Sequence, residues 1–299
     1  MSRKAIGRLC LGTATFGLDY GIANPKGQLS QLDVNELLEY CSQCGIDTLD
    51  TAVSYGESER AIGEYMFSNP CRFKIVTKLP PRGSALGVSI STVEENVRRS
   101  VRRLEVRKLY GCLVHCFEDY CVDEELWPAL EEVKNAGLVE RIGFSLYTVD
   151  ELKLLMDNGT HFDILQVPYS VFDTRFSYLF EDLKGRGVEI YVRSVFLQGL
   201  AFMNPLSLQG NLVKARPFVS ALHELADEYT IPVCVLCLGF VLLNPWIDRI
   251  VLGVDGLSQL ESNLEAFSYN EKLIELKERI RSLHIDDEEI LLPYRWVTS

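Results

Sequence analysis

The 299-residue chain lacks the marks of several large protein classes. Its longest apolar run, Val233–Leu243, stops at Asn244-Pro245, far short of the roughly 20 residues a membrane span needs. The N-terminal Met1-Ser2-Arg3-Lys4-Ala5-Ile6-Gly7 carries charge with no apolar core behind it, so no secretory leader is expected. Basic residues are in deficit, 30 Lys and Arg against 42 Asp and Glu. The net charge of -12 argues against nucleic-acid or anionic-membrane partners, because no basic patch outweighs the repulsion. Low-complexity runs are missing too, and with 47% hydrophobic residues disorder is excluded. There is neither a Gly-x-Gly-x-x-Gly turn nor a P-loop, the usual nucleotide signatures of doubly wound sheets.

Metal-site spacing is nearly absent as well. Cys41-Ser42-Gln43-Cys44 and Cys234-Val235-Leu236-Cys237 have the separation, but both lie in helical patterns with no His or Cys pair to complete a zinc site. Nine cysteines, an odd number scattered through apolar stretches, read as reduced thiols in a cytoplasmic protein with no metal. The sequon-like Asn158-Gly159-Thr160 then carries no sugar.

What is present is an alternation. Eight short β-rich runs, mostly apolar throughout, are expected at Leu9–Thr13, Asp47–Asp50, Phe73–Lys78, Leu109–His115, Val139–Ser145, Phe162–Val167, Val188–Ser194 and Asp248–Val254. Helical patterns separate them. Val34, Leu37, Leu38 and Cys41 follow Ser30 and Asp33 as a capping pair. Ser91-Thr92-Val93-Glu94 opens a second helix, Leu126, Leu130 and Val133 line a third ending at Gly137, and Thr148 with Glu151 caps a fourth. Further helices are expected over about 174–184, 211–229, 232–243 and 257–267. Strand then helix, eight times over without a linker, is the arithmetic of a single-domain α/β fold, a (β/α)8 TIM barrel over residues 1–299. Residues 194–211 make a connection too long for routine use and read as a functional loop. The segment 284–299 reads as a C-terminal tail draped over the same face.

Barrel enzymes keep their chemistry at the C-terminal ends of strands. Those ends carry Asp50, Lys78, His115, Ser145, Gln166, Arg193-Ser194 and Gly253, with Tyr55 and Gly56 in the loop after the second strand. Taken singly, each has a structural reading as a turn carboxylate, a packed tyrosine, a solvated lysine or an interior histidine. Together, an acid, a phenol, an amine and an imidazole on neighbouring strands point to proton exchange with a carbonyl or alcohol. A lysine near the phenol lowers its pKa toward neutrality, and the aspartate holds that lysine charged. No side chain supplies a hydride, so a cofactor is implied.

Leu11-Gly12-Thr13, Gly45-Ile46-Asp47-Thr48-Leu49-Asp50-Thr51-Ala52 with Tyr55-Gly56, Ser58-Glu59 and Gly63, and then Thr77-Lys78 and Leu113-Val114-His115, resemble the aldo-keto reductases over about Leu9 to Phe267. The nearest members are ones associated with bacterial sugar and polysaccharide pathways. The resemblance implies a catalytic tetrad of Asp50, Tyr55, Lys78 and His115, and reversible NAD(P)H-dependent reduction of an aldehyde or ketone with Tyr55 as acid. It further implies cofactor contacts from Gly12, Thr13, Asp50, Ser145, Gln166, Arg193, Ser194, Phe196, Gly199, Gly253, Asp255, Gln259 and Asn263.

Departures from the family pattern are informative. Leu146 follows Ser145 where the family usually has asparagine, and Arg193 stands where many members stack a tyrosine on the nicotinamide. NADPH-specific members place a basic residue near Val254-Asp255. A carboxylate there repels a 2'-phosphate and accepts from a ribose diol, so NADH is expected to serve at least as well as NADPH. Phe16, Tyr20, Tyr147, Tyr294 and Trp296 are expected to meet a small-molecule carbonyl substrate, with a sugar derivative in view. Two other readings stay open: a Schiff-base aldolase using Lys78, and a non-catalytic nicotinamide-binding regulatory subunit. Nothing in the sequence sets the oligomeric state.

Overall fold

The computed structural model describes residues 6–24, 26–69, 73–82 and 93–297. Eight parallel strands close in chain order into a barrel: β1 (Leu9–Gly12), β2 (Thr48–Asp50), β3 (Lys74–Lys78), β4 (Leu109–Val114), β5 (Val139–Ser145), β6 (Ile164–Pro168), β7 (Glu189–Arg193) and β8 (Arg249–Gly253). Twelve α-helices are described around it. They are α1 (Gln31–Cys44), α2 (Ser58–Ser68), α3 (Val93–Arg103), α4 (Phe117–Val122), α5 (Leu126–Asn135), α6 (Val149–Asp157), α7 (Phe180–Gly185), α8 (Arg216–Tyr229), α9 (Val233–Leu242), α10 (Leu257–Leu264), α11 (Asn270–Arg281) and α12 (Glu288–Leu291). The barrel expected from the alternation is the one observed.

Local chemistry sets the helix starts. Ser30 and Asp33 form a reciprocal capping box on α1, and Thr148 with Glu151 does the same on α6. The Ser91-Thr92 start lies outside the described residues, although α3 follows from Val93. Three expectations shift. The 174–184 pattern becomes helical only at Ser177, first as a 3-10 turn and then as α7. The 211–229 pattern divides into a 3-10 stretch, Gly210–Ala215, and α8, where Pro217 fits the first turn because it has no N–H to leave unpaired. The helices α2, α4, α11 and α12 were not anticipated from periodicity. Helix α9 is apolar all round because both faces are buried, and among the described residues no single helix is long and apolar enough to cross a membrane.

The barrel interior positions the site. Cys10, Val76, Leu113, Ile164, Tyr191 and Val251 form a closed apolar cluster inside the strands. Side chains on one face of a strand repeat every second residue. Two positions onward therefore come Gly12, Lys78, His115, Gln166, Arg193 and Gly253, the next layer toward the C-terminal rim. The register agrees: Gly12 pairs with Asp50 on one side and Gly253 on the other.

Candidate active site

At the centre of that layer lies a buried ion pair. Lys78 Nζ donates to Asp50 Oδ2 at 2.7 Å and to the Thr51 carbonyl oxygen at 2.9 Å, and the two charged side chains are only 1% and 3% exposed. Burial alone would favour neutral lysine, but the Asp50 carboxylate, by its charge and hydrogen bond, and Tyr55 together outweigh it and raise the Lys78 pKa. A fully charged, doubly hydrogen-bonded ammonium is a poor nucleophile, which counts against the aldolase reading.

Asp50 is braced from its other oxygen. Gln166 Nε2 donates to Asp50 Oδ1 at 2.6 Å, and Ser145 Oγ donates to Gln166 Oε1 at 3.2 Å. Gln166 was expected at the end of β6. It lies in mid-strand instead, because β6 runs on to Pro168, and its side chain is fully buried. A hydroxyl cluster supports the same floor: Thr13 Oγ1 donates to the Asp50 carbonyl oxygen at 2.9 Å, and Ser58 Oγ lies within 3.0 Å of both Thr13 Oγ1 and Thr51 Oγ1.

Tyr55 stands above the pair. Lys78 Nζ is 5.1 Å from its ring centroid, and the His115 ring meets it edge-on at 6.0 Å. Among the described residues none hydrogen-bonds to the Tyr55 hydroxyl, so the lysine acts on the ring as a nearby charge. The loop carrying Tyr55 is clamped by backbone. A Cβ on Gly17 would fall 1.9 Å from the Tyr55 carbonyl oxygen, and one on Gly56, at φ +56°, would fall 2.3 Å from the Gly17 carbonyl oxygen.

The expected near-neutral phenol is corrected here. Burial pushes the Tyr55 pKa up by more than Lys78 and Arg193 pull it down, so its net shift is above the ordinary tyrosine value. His115 is pushed down to about 3, by burial first and then by the Lys78 and Arg193 charges. Its Nδ1 lies 3.1 Å from Ser54 Oγ. The site thus holds a protonated phenol and a neutral imidazole. Carbonyl reduction is expected to show a flat kcat/KM from about pH 5 to about pH 9. An inflection near the ordinary histidine value would show that His115 titrates in the folded protein.

Beside Tyr55 opens a cavity of about 260 Å³, lined by Gly12 and Thr13, by Tyr20–Asn24 in part, by Arg193–Gly199 in part, and by Val251–Asp255 and Gln259. Its floor is side-chain-free at Gly12 and Gly253. The 194–199 loop holds Ser194, Leu197 and Gln198 at positive φ, a costly conformation for residues other than glycine and one concentrated at functional sites. The loop after β1 closes on it: the Ile22 N–H donates to the Gln198 carbonyl oxygen at 3.1 Å, and Ala23 occupies the space left by Gly199. At the far end Gln259 accepts from the Asp255 N–H at 2.7 Å, and one turn further along α10 Asn263 Nδ2 is buried with no partner among the described residues. These features fit an elongated polar ligand such as a dinucleotide: an open groove, a strained loop and an orphaned buried amide.

The remaining expectations divide. Phe16 is 1% exposed in the main core, so it is corrected from a substrate contact to a packing residue. Ser145 and Gln166 are both buried, and each engages the other. Phe196 lines the cavity and packs on Phe202. Tyr147 and Tyr294 meet edge-on at 5.2 Å, so the C-terminal segment reaches the β5 rim, while Trp296 Nε1 donates to the Ile290 carbonyl oxygen at 2.8 Å. Cys41 and Cys237 are core thiols, with Cys44 and Cys234 half-buried. Sequence reasoning missed Thr51, Ser54 and Lys26. Their roles come from contacts between distant segments and have no local signature.

A barrel with a protonated phenol over a buried Asp–Lys pair, opening into a dinucleotide-like groove, defines a cofactor-dependent oxidoreductase. The aldo/keto reductase family model matches residues 8–283, and the chain belongs to that family as an NAD(P)-dependent oxidoreductase. It is similar to L-galactose dehydrogenase of Arabidopsis thaliana, 24% identical over 90% of this chain and 89% of that protein. Similarity to protein tas of Escherichia coli is 23% over 89% of this chain and 90% of that protein. Among solved structures, an aldo-keto reductase from Bacillus halodurans shares the fold, with a TM-score of 0.74 at 20% identity over 94% of this chain and 93% of that one.

Proposed function

We propose that this protein reversibly reduces the aldehyde or ketone group of a sugar or sugar derivative, with Tyr55 as the acid. The observation that carries the reading is the charged Lys78–Asp50 pair, 1% and 3% exposed, directly beneath the Tyr55 ring. The hydride would come from a reduced nicotinamide when one is bound. As charge develops on the substrate oxygen, the Tyr55 hydroxyl gives it a proton, and the Lys78 ammonium stabilises the phenolate left behind. Neutral His115 offers an imidazole hydrogen bond that orients the oxygen, held by Ser54. Asp50, braced by Gln166, keeps Lys78 from moving. Gly12, Thr13, the Ser194–Gly199 loop, Gly253, Gln259 and Asn263 would hold the dinucleotide. The similarity to an L-galactose dehydrogenase supports a sugar carbonyl.

The test is steady consumption of NADH or NADPH with a panel of sugar aldehydes and ketones. Cofactor binding without turnover on any of them would make the protein a nicotinamide sensor instead.

NADH is proposed to serve at least as well as NADPH. The Asp255 carboxylate lines the cavity, and burial raises its pKa while Gln259 and Lys26 act against that shift. The Lys26 charge counters the carboxylate, its Nζ lying beside Gly256, the next residue in the chain. The 2'-phosphate is thus tolerated. Lys26→Ala is expected to weaken NADPH relative to NADH by about fivefold, the scale of one partly exposed ion pair, and Asp255→Asn to act in the opposite sense. Dissociation constants from nicotinamide fluorescence check both. A wild-type NADPH preference above roughly a hundredfold, about 2.7 kcal/mol, would sink the proposal.

A further inference from the structure

The charges around the mouth do not balance. Lys78 is matched by Asp50 at 2.7 Å, Arg175 by Asp173 at 2.8 Å, and Arg295 by Glu288 at 3.1 Å. Arg193 has no carboxylate within ion-pair distance among the described residues. It is half-buried and lines the same cavity as Tyr55. Its hydrogen bonds go from Nη2 to the Leu146 carbonyl oxygen at 2.9 Å and from Nη1 to Ser194 Oγ at 3.3 Å. A guanidinium has five N–H groups in a planar fork, so most of its donor capacity is unspent. Leaving a cation unpaired and partly desolvated is costly, and such groups concentrate where a ligand completes them.

The direction in which Arg193 leans decides which ligand. The groove leaves Tyr55 over the ends of β7, β8 and β1. The Arg193 head instead crosses toward the end of β5, where it lies 4.1 Å over the Tyr147 ring. Tyr147 in turn meets Tyr294 at the rim. The cation therefore stands at the Tyr55 end of the cavity, against an aromatic wall. Its field reaches both proton-handling groups, lowering the His115 pKa and opposing the rise at Tyr55. With His115 neutral and Lys78 paired, Arg193 is the one unmatched charge beside Tyr55 among the described residues, Asp255 lining the cavity at its β8 end, and a monoanionic group there would cancel it.

We infer that Arg193 recognises a carboxylate or phosphate on the carbonyl substrate, so that the preferred substrates are anionic carbonyl compounds. This rests on the reductase reading and narrows it. Arg193 would take the anion through its fork, Tyr147 would hold the guanidinium plane, and the neighbouring carbonyl would meet Tyr55.

Matched pairs test it: glyceraldehyde with glyceraldehyde 3-phosphate, and glucose with glucuronate. The wild type is expected to favour at least one anionic member by tenfold or more in kcat/KM, expressed mainly in KM and weakening as salt is added. The pair that shows the preference separates phosphate from carboxylate. Arg193→Gln is expected to bring the anionic-to-neutral ratio to about one, whatever factor both substrates lose in common, and Arg193→Lys to retain part of the preference. Turnover with no charge preference in the wild type overturns the inference while leaving the reductase reading intact. A common loss in Arg193→Gln with the ratio unmoved, accompanied by weaker cofactor binding, overturns it and assigns Arg193 to the dinucleotide. Failure of every carbonyl with the wild type overturns the reductase reading, and this inference with it.

Discussion

Tyr55→Phe is expected to reduce turnover by about 10²- to 10⁴-fold, the range attributed to a general acid, while cofactor affinity changes by less than about threefold. The geometry separates these two effects. The Tyr55 hydroxyl has no protein hydrogen bond among the described residues, so removing it breaks no structural contact and leaves no orphaned partner. The ring stays in place, with Lys78 at 5.1 Å and His115 at 6.0 Å. What disappears is a proton that burial holds on the phenol. Single-turnover rates and nicotinamide fluorescence titration measure the two quantities independently. A variant that turned over at more than a tenth of the wild-type rate would move the acid elsewhere. His115 is a weak alternative for a general acid, because it stays neutral far below physiological pH.

Lys78→Met is expected to cost about 3–5 kcal/mol of stability as well as activity, because it leaves the Asp50 carboxylate buried without its cation. Gln166 offers Asp50 a hydrogen bond but no charge. Urea denaturation should show a lower midpoint with an unchanged slope. Replacing both partners, Asp50→Leu with Lys78→Met, is expected to recover much of the lost stability, since apolar substitution of a whole buried pair is often near neutral. It should not restore turnover. A single variant within about 1 kcal/mol of the wild type would mean that water or another group compensates Asp50. The two variants thus separate the roles: Tyr55 matters to chemistry with little effect on stability, whereas the Lys78–Asp50 pair matters to both.

The strand pattern was legible to within a few residues, for a physical reason. A strand covered on both faces must be apolar throughout, and a parallel strand needs a crossover before its neighbour, so the alternation of run and helix nearly dictates a barrel. Capping at Ser30 and Thr148 was legible because a cap is a contact between residues three apart. Helix α11 went unread although Leu273, Leu276 and Ile280 mark one buried face. The residue types of the site were legible from the polar residue at each strand end, and their family from the Asp50-Thr51-Ala52 to Tyr55-Gly56 stretch.

Protonation states were not legible. Proximity of Lys78 argued for an acidic phenol, and only burial, a property of the packed barrel, reversed the sign at Tyr55. Phe16 looked available to a ligand until packing placed it in the core. Lys26 and Arg193 likewise acquire meaning only from their neighbours, one beside Gly256 and the other over Tyr147. Periodicity, caps and strand-end residues are short-range properties, and the chain alone determined the barrel and the cast of its site. Desolvation and charge balance sum over groups as distant in the chain as Tyr55 and Arg193, so the tertiary structure decided which group keeps its proton and which cation stays unpaired.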